Sequence, residues 1–313
     1  MSARYPFTFH PRGWFQLGYS DELGPGAVQP LSAFGRELVL YRGEDGQPHL
    51  LDAYCPHLGA HLGHGGKVRG ALIECPFHGW RLDGAGACVE IPHAKKIPPG
   101  AAIRSWPVRE RSGVLLAYHG PAGADPAWQV PDFPELGSSE WTPPARKKWR
   151  IRVHAQEIAE NLVDPMHFRY VHQTLAPAQT RVEVEGHLLR SFSIVQHPTP
   201  RGPVEGRIDG EAHGLALWLI RWSGIVDLVH LTSATPVDGE HVDLRVTFTV
   251  RRNPERPGAE QNVGNKLIAE ICRQVEEDIP IWEHKLYRDR PAYSEGDGAI
   301  SALRKWSRQF LEE

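Results

Sequence analysis

Cysteine is scarce in this chain: four among 313 residues, at positions 55, 75, 88 and 272. A dense disulfide framework is therefore excluded, and a chain long enough for two domains with their own cores needs none. Charge of one sign is lacking too. A net charge of −3 gives no electrostatic case for nucleic acid or for a membrane surface. No apolar run approaches the roughly 18 residues of a membrane-spanning helix, and the N-terminal MSARYPFTFHPRGW has no signal-peptide core. The expectation is a cytoplasmic protein with no membrane anchor. A nucleotide-binding fingerprint is also missing, because Gly84-Ala85-Gly86 reads as a hairpin turn rather than a strand-to-helix phosphate loop. With 27 prolines, 31 glycines and ten tryptophans, the composition favours a strand-rich, loop-rich globule over a helical bundle.

What the chain does have is two Cys/His pairs. Cys55-Pro56-His57 is followed, after 17 residues, by Cys75-Pro76-Phe77-His78. Each pair lies in a Gly/Pro-rich loop after a strand-like run, 49–54 and 71–74. A structural zinc site uses the same residue types, but zinc fingers usually group the cysteines in one half and the histidines in the other. One Cys and one His from each half suit a mixed-ligand [2Fe–2S] cluster, with the cysteines on one iron and the histidines on the other. Cys88 and Cys272 remain, and they are expected as buried free thiols in a reducing compartment.

A second constellation lies in ENLVDPMHFRYVH, residues 160–172. Two histidines and a distant carboxylate make the facial triad of non-haem Fe(II), which leaves coordination positions open for O2. His167 and His172 diverge by about 140° on a regular helix, so they converge on one ion only if the helix bends or ends between them. The carboxylate is sought on a long helix expected over 262–287. Ile268, Ile271, Val275 and Trp282 define its buried stripe, and Asp278 falls on that stripe. A carboxylate there is costly unless paired or metal-bound. Glu277 is rotated off the stripe, and both it and Glu276 read as solvated acids. Asp164, one turn before His167, is placed either to accept its free N–H or to cap a helix. His61, His64, His93 and His230 read as turn or core residues rather than ligands.

Along the chain, 12–120 reads as a small antiparallel β domain, 121–145 as a Pro/Gly/Ser-rich connection, and 146–313 as a second domain. In the latter a helical segment over 154–172 precedes strand-like runs at 180–185, 188–195, 205–208, 215–222, 226–233 and 242–250. The long helix and a short one over 299–310 complete it. The fold class expected is α+β, an antiparallel sheet wrapped on long helices in a helix-grip-like arrangement. The apolar runs 215–220 and 225–231 could line a large apolar pocket, although most of them read as core.

CPHLGAHLGHGG and CPFHGW resemble the two cluster-binding loops of Rieske proteins, and in particular those of Rieske non-haem iron oxygenases. Respiratory Rieske proteins carry an extra disulfide whose positions are occupied here by Ala60 and Phe77. Their Ser and Tyr hydroxyls are replaced by Trp80 and Leu82, which implies a potential in the lower part of the Rieske range. N-x-x-D-x-x-H-x₄-H resembles the family's iron-binding signature. The resemblance implies His167, His172 and Asp278 as iron ligands, and Asn161 as a hydrogen-bonding neighbour. It places Asp164 between His78 of one chain and His167 of the next, in a head-to-tail homotrimer. EDIPIWEHKLYRDRP and RGWFQLG…AFGRELVLYRGEDGQPHLLDAYCPHLGAHL are similar to the 3-ketosteroid 9α-hydroxylase and cholesterol 7-desaturase subgroup. The implied activity is the terminal step of an O2-dependent hydroxylation or desaturation of a bulky apolar substrate, a steroid or sterol. Electrons would come from NAD(P)H through a reductase, with or without a ferredoxin. The alternatives are an aromatic-ring hydroxylating or O-demethylating Rieske oxygenase, and a Rieske-type electron carrier. A carrier would leave the triad and most of the chain unexplained.

Overall fold

The computed structural model describes residues 4–174, 179–197, 202, 204–224, 226–255 and 258–311. The chain divides into two compact units, Trp14–Asp132 with Val237–Gly239, and Met1–Gly13 with Phe133–Pro236 and Glu240–Glu313.

The smaller unit is built from short antiparallel strands. In chain order they are β1 (Gly13–Tyr19), β2 (Val28–Ala33), β3 (Arg36–Arg42), β4 (Pro48–Asp52), β5 (Lys67–Arg69), β6 (Leu72–Glu74), β7 (Arg81–Leu82), β8 (Cys88–Glu90), β9 (Ser105–Trp106), β10 (Val108–Arg111) and β11 (Val114–His119). They form sheets of order β2-β3-β4-β9, β5-β6-β7-β8 and β1-β11-β10. β3 is paired on both edges and reads Leu-Val-Leu-Tyr because both of its faces are covered. One apolar cluster joins Val39, Tyr41 and Leu51 of the first sheet to Ile73 and Leu82 of the second, together with Cys55, Cys75 and Trp80. The two cysteine-bearing loops are thus anchored in the unit's own core.

The larger unit contains β12 (Ala145–Ile151), α1 (Ala155–Glu160), α2 (Pro165–Tyr170), β13 (Gln179–Glu185), β14 (Leu188–His197), β15 (Val204–His213), β16 (Leu217–Ser223), β17 (Leu228–Pro236), β18 (Val242–Val250), α3 (Ala259–His284) and α4 (Ile300–Leu311). Its seven strands form one antiparallel sheet of order β12-β18-β17-β16-β15-β14-β13. α3 packs on β18 and β12, and α1 on β17 and α4. The α+β expectation of a sheet wrapped on long helices holds.

Two local expectations are corrected. The segment 154–172 is not one helix: α1 ends at Glu160, Asn161 caps it, and α2 starts afresh at Pro165. Asp164 and Pro165 explain the restart, since an Asp at the N-cap followed by Pro at the first helical position is a strong start signal. The strand β12 was not anticipated. Its sequence ARKKWRI has no apolar alternation because it pairs only with β18 and forms the sheet's edge.

Candidate functional site

The two loops of the smaller unit share one backbone plan. Cys55 donates its N–H to the Ala60 carbonyl at 2.9 Å, and its carbonyl accepts from Gly59 at 3.0 Å. Cys75 donates to the Trp80 carbonyl at 2.8 Å, and its carbonyl accepts from Gly79 at 3.1 Å. Gly59 and Gly79 take φ of 73° and 71°, a left-handed conformation that glycine adopts without strain. The two loops therefore close in the same way and bring His57 and His78 together, with ring centroids 4.7 Å apart.

These residues fit a [2Fe–2S] cluster. The Nδ1 atoms of His57 and His78 are buried with no hydrogen-bond partner, a costly state for ring nitrogens unless a bound group takes them. Cys55 and Cys75 are both buried and unbridged. Burial, with the Cys75 sulfur beside it, pushes the Cys55 thiol up to about 11, so the bare thiol holds its proton and only a metal of high thiolate affinity displaces it. Trp80 stacks on His57 at 4.5 Å and 6°, and Leu82 is fully buried.

In the larger unit, one ligand atom from each of His167, His172 and Asp278 lies within 4.8 Å of the others. The divergence of the two histidines is resolved by the end of α2: Val171 caps it, donating to the His167 carbonyl, and His172 lies beyond the helix. Their rings stand 5.1 Å apart at 81°. The His172 Nε2 is 3.5 Å from Asp278 Oδ2, and Asn161 Nδ2 donates to that same oxygen at 3.0 Å. Asp164 accepts from the N–H groups of Met166 and His167 through Oδ1, while its backbone carbonyl lies 2.6 Å from His167 Nδ1. Its carboxylate thus caps α2 within this chain, and the ring of His167 lies against the Asp164 main chain.

Glu277 corrects its reading as a solvated acid. Its Oε2 is 3.1 Å from His172 Nδ1, and it also pairs with Arg273. Metal-bound histidines commonly give their second N–H to a carboxylate. The helical-wheel position rightly put Glu277 off the buried stripe, but it is on the side that the tail of α2 approaches. The protonation states divide accordingly. Burial pushes His167 below the usual imidazole range, more than the neighbouring Asp278 raises it. Burial also opposes the charge on His172, but Asp278 and Glu277 outweigh it and hold that imidazole above the usual range.

A cavity of about 140 Å³ opens beside the triad, bounded by His167, His172 and Asp278 on the helix side. On the sheet side the lining follows the alternation of strand side chains: Trp218, Ile220 and Trp222 of β16, His230 and Thr232 of β17, Leu244 and Val246 of β18. A second cavity of about 550 Å³ shares Phe168, His172, Ile208, Trp222, Ile271 and Gln274 with the first. Of the run 215–220, Trp218 and Ile220 reach the cavity, while Leu215, Ala216, Leu217 and Leu219 are buried without lining it. In the run 225–231, His230 does so, and Ile225 lies outside the described residues. His61 is a turn residue, accepting from the Gly63 N–H at 3.0 Å. Cys88 and Cys272 are buried and free.

Two family models match the chain: the Rieske [2Fe-2S] domain over residues 13–107, and the 3-Ketosteroid 9alpha-hydroxylase C-terminal domain over 117–311. A probable 3-ketosteroid-9-alpha-monooxygenase oxygenase component of Rhodococcus rhodochrous is 34% identical, over 96% of this chain and 80% of its own length. Cholesterol 7-desaturase nvd 1 of Ciona intestinalis is 31% identical, over 97% of this chain and 69% of its own. Among solved structures, dicamba monooxygenase bound to dicamba superposes with a TM-score of 0.77 at 21% identity, over 97% of this chain and 98% of that one, a likeness of fold. The cofactors are accordingly a Rieske [2Fe–2S] cluster and a mononuclear non-haem iron. With a Rieske domain, a triad and a family model spanning its larger part, the chain belongs to the Rieske non-haem iron oxygenases, as the terminal oxygenase component of a system with separate electron-transfer partners.

Proposed function

We propose that Cys55 and Cys75 hold one iron of the cluster and His57 and His78 the other, and that His167, His172 and Asp278 hold the mononuclear iron. The buried unpartnered Nδ1 atoms support the first assignment, and the convergence of three ligand atoms supports the second. The division would be a Rieske domain over 12–120, a connection over 121–145 and a catalytic domain over 146–313. The substrate is a bulky apolar molecule, a steroid or sterol, that is hydroxylated or desaturated. The observation that carries this reading is the apolar cavity beside the triad, in a chain whose relatives act on steroids by name.

When bound, the two metal centres supply electron delivery and O2 activation. The protein's own residues do the rest. Asn161 holds Asp278, Glu277 and the Asp164 carbonyl orient the two imidazoles, and the apolar walls exclude water while they hold the substrate against the open side of the triad. In a hydroxylation one oxygen atom enters a C–H bond and the other leaves as water, with NAD(P)H supplying the electron pair through a reductase, with or without a ferredoxin. Tyr54, Leu58 and Phe77 are exposed around the Cys/His loops, an apolar rim suited to a protein partner. By likeness to the family the assembly is a head-to-tail homotrimer in which Asp164 stands between His78 of one protomer and His167 of the next. The free thiols fit a cytoplasmic location, and no described helix is long and apolar enough to cross a membrane. Turnover of a steroid panel by the purified protein with a reductase, with products identified by mass, tests the reading. Steroid oxidation is expected, and turnover confined to small aromatic acids overturns it.

A further inference from the structure

His230 carries a polar atom that nothing among the described residues satisfies. It is 5% exposed, lies on the cavity side of β17, and its Nε2 is buried without a hydrogen-bond partner. Its other nitrogen, Nδ1, is 2.9 Å from Thr232 Oγ1. The tautomer is assigned from the direction that satisfies both groups. If Nδ1 donated, the buried Thr232 hydroxyl would need a further acceptor for its own proton. If the hydroxyl donates to Nδ1, both groups are satisfied there, and Nε2 carries the proton. Burial holds the imidazole down to about 3, so it is neutral across the physiological range and offers a donor without a charge.

A second donor lies nearby. Trp218, 2% exposed and also in the cavity lining, has its indole N–H buried without a partner. Trp218 pairs across β16 and β17 with Thr232, and Ile220 with His230, so Trp218 and His230 are diagonal neighbours on one face. Diagonal pairs of long side chains lie within reach of a common atom. The sheet side of the cavity also carries Ser191, Ser193 and Thr232 but no charged side chain, so its neutral donors cannot repay burying a carboxylate, but they match an uncharged oxygen.

We propose that His230 Nε2–H and Trp218 Nε1–H form the subsite that receives a carbonyl or hydroxyl oxygen of the substrate, fixing which of its carbons faces the triad. The inference deepens the apolar-substrate reading and rests on it. Buried donors left unpaired penalise a ligand that lacks the oxygen.

The test compares two ligands that differ only in that oxygen, androstanone and androstane, by equilibrium binding to the wild-type protein. Androstanone is expected to bind at least about tenfold more tightly, the effect of one satisfied buried hydrogen bond. The preference should shrink in His230→Phe and in Trp218→Phe, and His230→Gln, which keeps an N–H donor, should restore part of it. Equal affinity of the wild type for both steroids overturns the subsite and leaves the steroid reading in place. Binding of neither steroid overturns the steroid reading instead, and camphor against camphane then decides the subsite. Failure of that pair to show an oxygen preference overturns the subsite as well. The ligand comparison needs only the wild-type protein, so misfolding of a variant does not rescue the idea.

Discussion

Asn161 Nδ2 donates to Asp278 Oδ2 at 3.0 Å across 117 residues of sequence. One residue caps α1 and the other sits in the C-terminal third of α3, so this bond ties the break between α1 and α2 to the helix that supplies the carboxylate. It also spends one lone pair of Oδ2, leaving the rest of the carboxylate facing the two imidazoles. Asn161→Ala is therefore expected to weaken iron binding by about 10- to 100-fold, the usual effect of losing an outer-shell partner, without loss of fold. Titration of the iron-free site with Fe(II) under anaerobic conditions, with circular dichroism as the fold control, measures it. Unchanged affinity would show that Asp278 needs no such support.

Glu277 acts on the other side of the site through His172 Nδ1, and two substitutions separate its charge from its hydrogen bond. Glu277→Gln keeps an acceptor oxygen and should retain most of the iron after dialysis. Glu277→Ala removes the acceptor and should lose iron by about 10-fold or more in affinity. Equal losses in both would assign the effect to charge rather than to orientation of the ring.

How much of this was legible in the sequence depends on how local each contact is. Cys55, His57, Cys75 and His78 were readable because each loop is a short closed unit that needs only its own residues and a glycine. His167, His172 and Asp278 were readable from a motif and a helical stripe. Glu277 was not: its partner approaches from the tail of α2, 105 residues away, and no periodicity on α3 encodes that approach. β12 was missed for the opposite reason. Its residues face solvent and Asp243, which takes Lys148 at 2.9 Å and Arg150 at 2.9 Å, so an edge strand was written in charge instead of in apolar alternation. β15 runs on to His213, beyond the run expected over 205–208, and Gly210 within it makes room for a neighbour: a Cβ there would lie 2.6 Å from Ser191 Oγ.

The matched glycines of the cluster loops give a graded prediction. Gly59→Ala meets no atom within 4 Å, so it costs only the left-handed strain of its φ of 73°, about 1–2 kcal/mol. Gly79→Ala carries the same strain and also sets its Cβ 3.3 Å from Pro92 Cγ. The second variant should lower the melting temperature more than the first and retain less cluster, read from visible absorbance per chain. The reverse order would mean that the two loops are not equally constrained.

Acid should destabilise the larger unit through histidines that the metal does not use. His154 and His230 are both buried and held down to about 3 by that burial. Above the ordinary value of 6.5, neither the folded nor the unfolded chain protonates them, so their neutral burial costs nothing extra. As the pH falls below that value the unfolded chain takes up the protons and the folded chain does not. Each histidine then withdraws about 1.4 kcal/mol of stability per pH unit until its folded value is reached. The unfolding free energy of the protein should thus fall between pH 7 and pH 5, with the lowered His167 adding to the slope and the raised His172 opposing it. His230→Phe removes one of these protons from the balance, so its stability should decline less steeply with acid by about one proton's worth, whatever its stability at pH 7. Parallel declines in variant and wild type would mean that His230 is protonated in the folded state, and the donor geometry inferred for its Nε2 would then belong to a cation instead of a neutral ring.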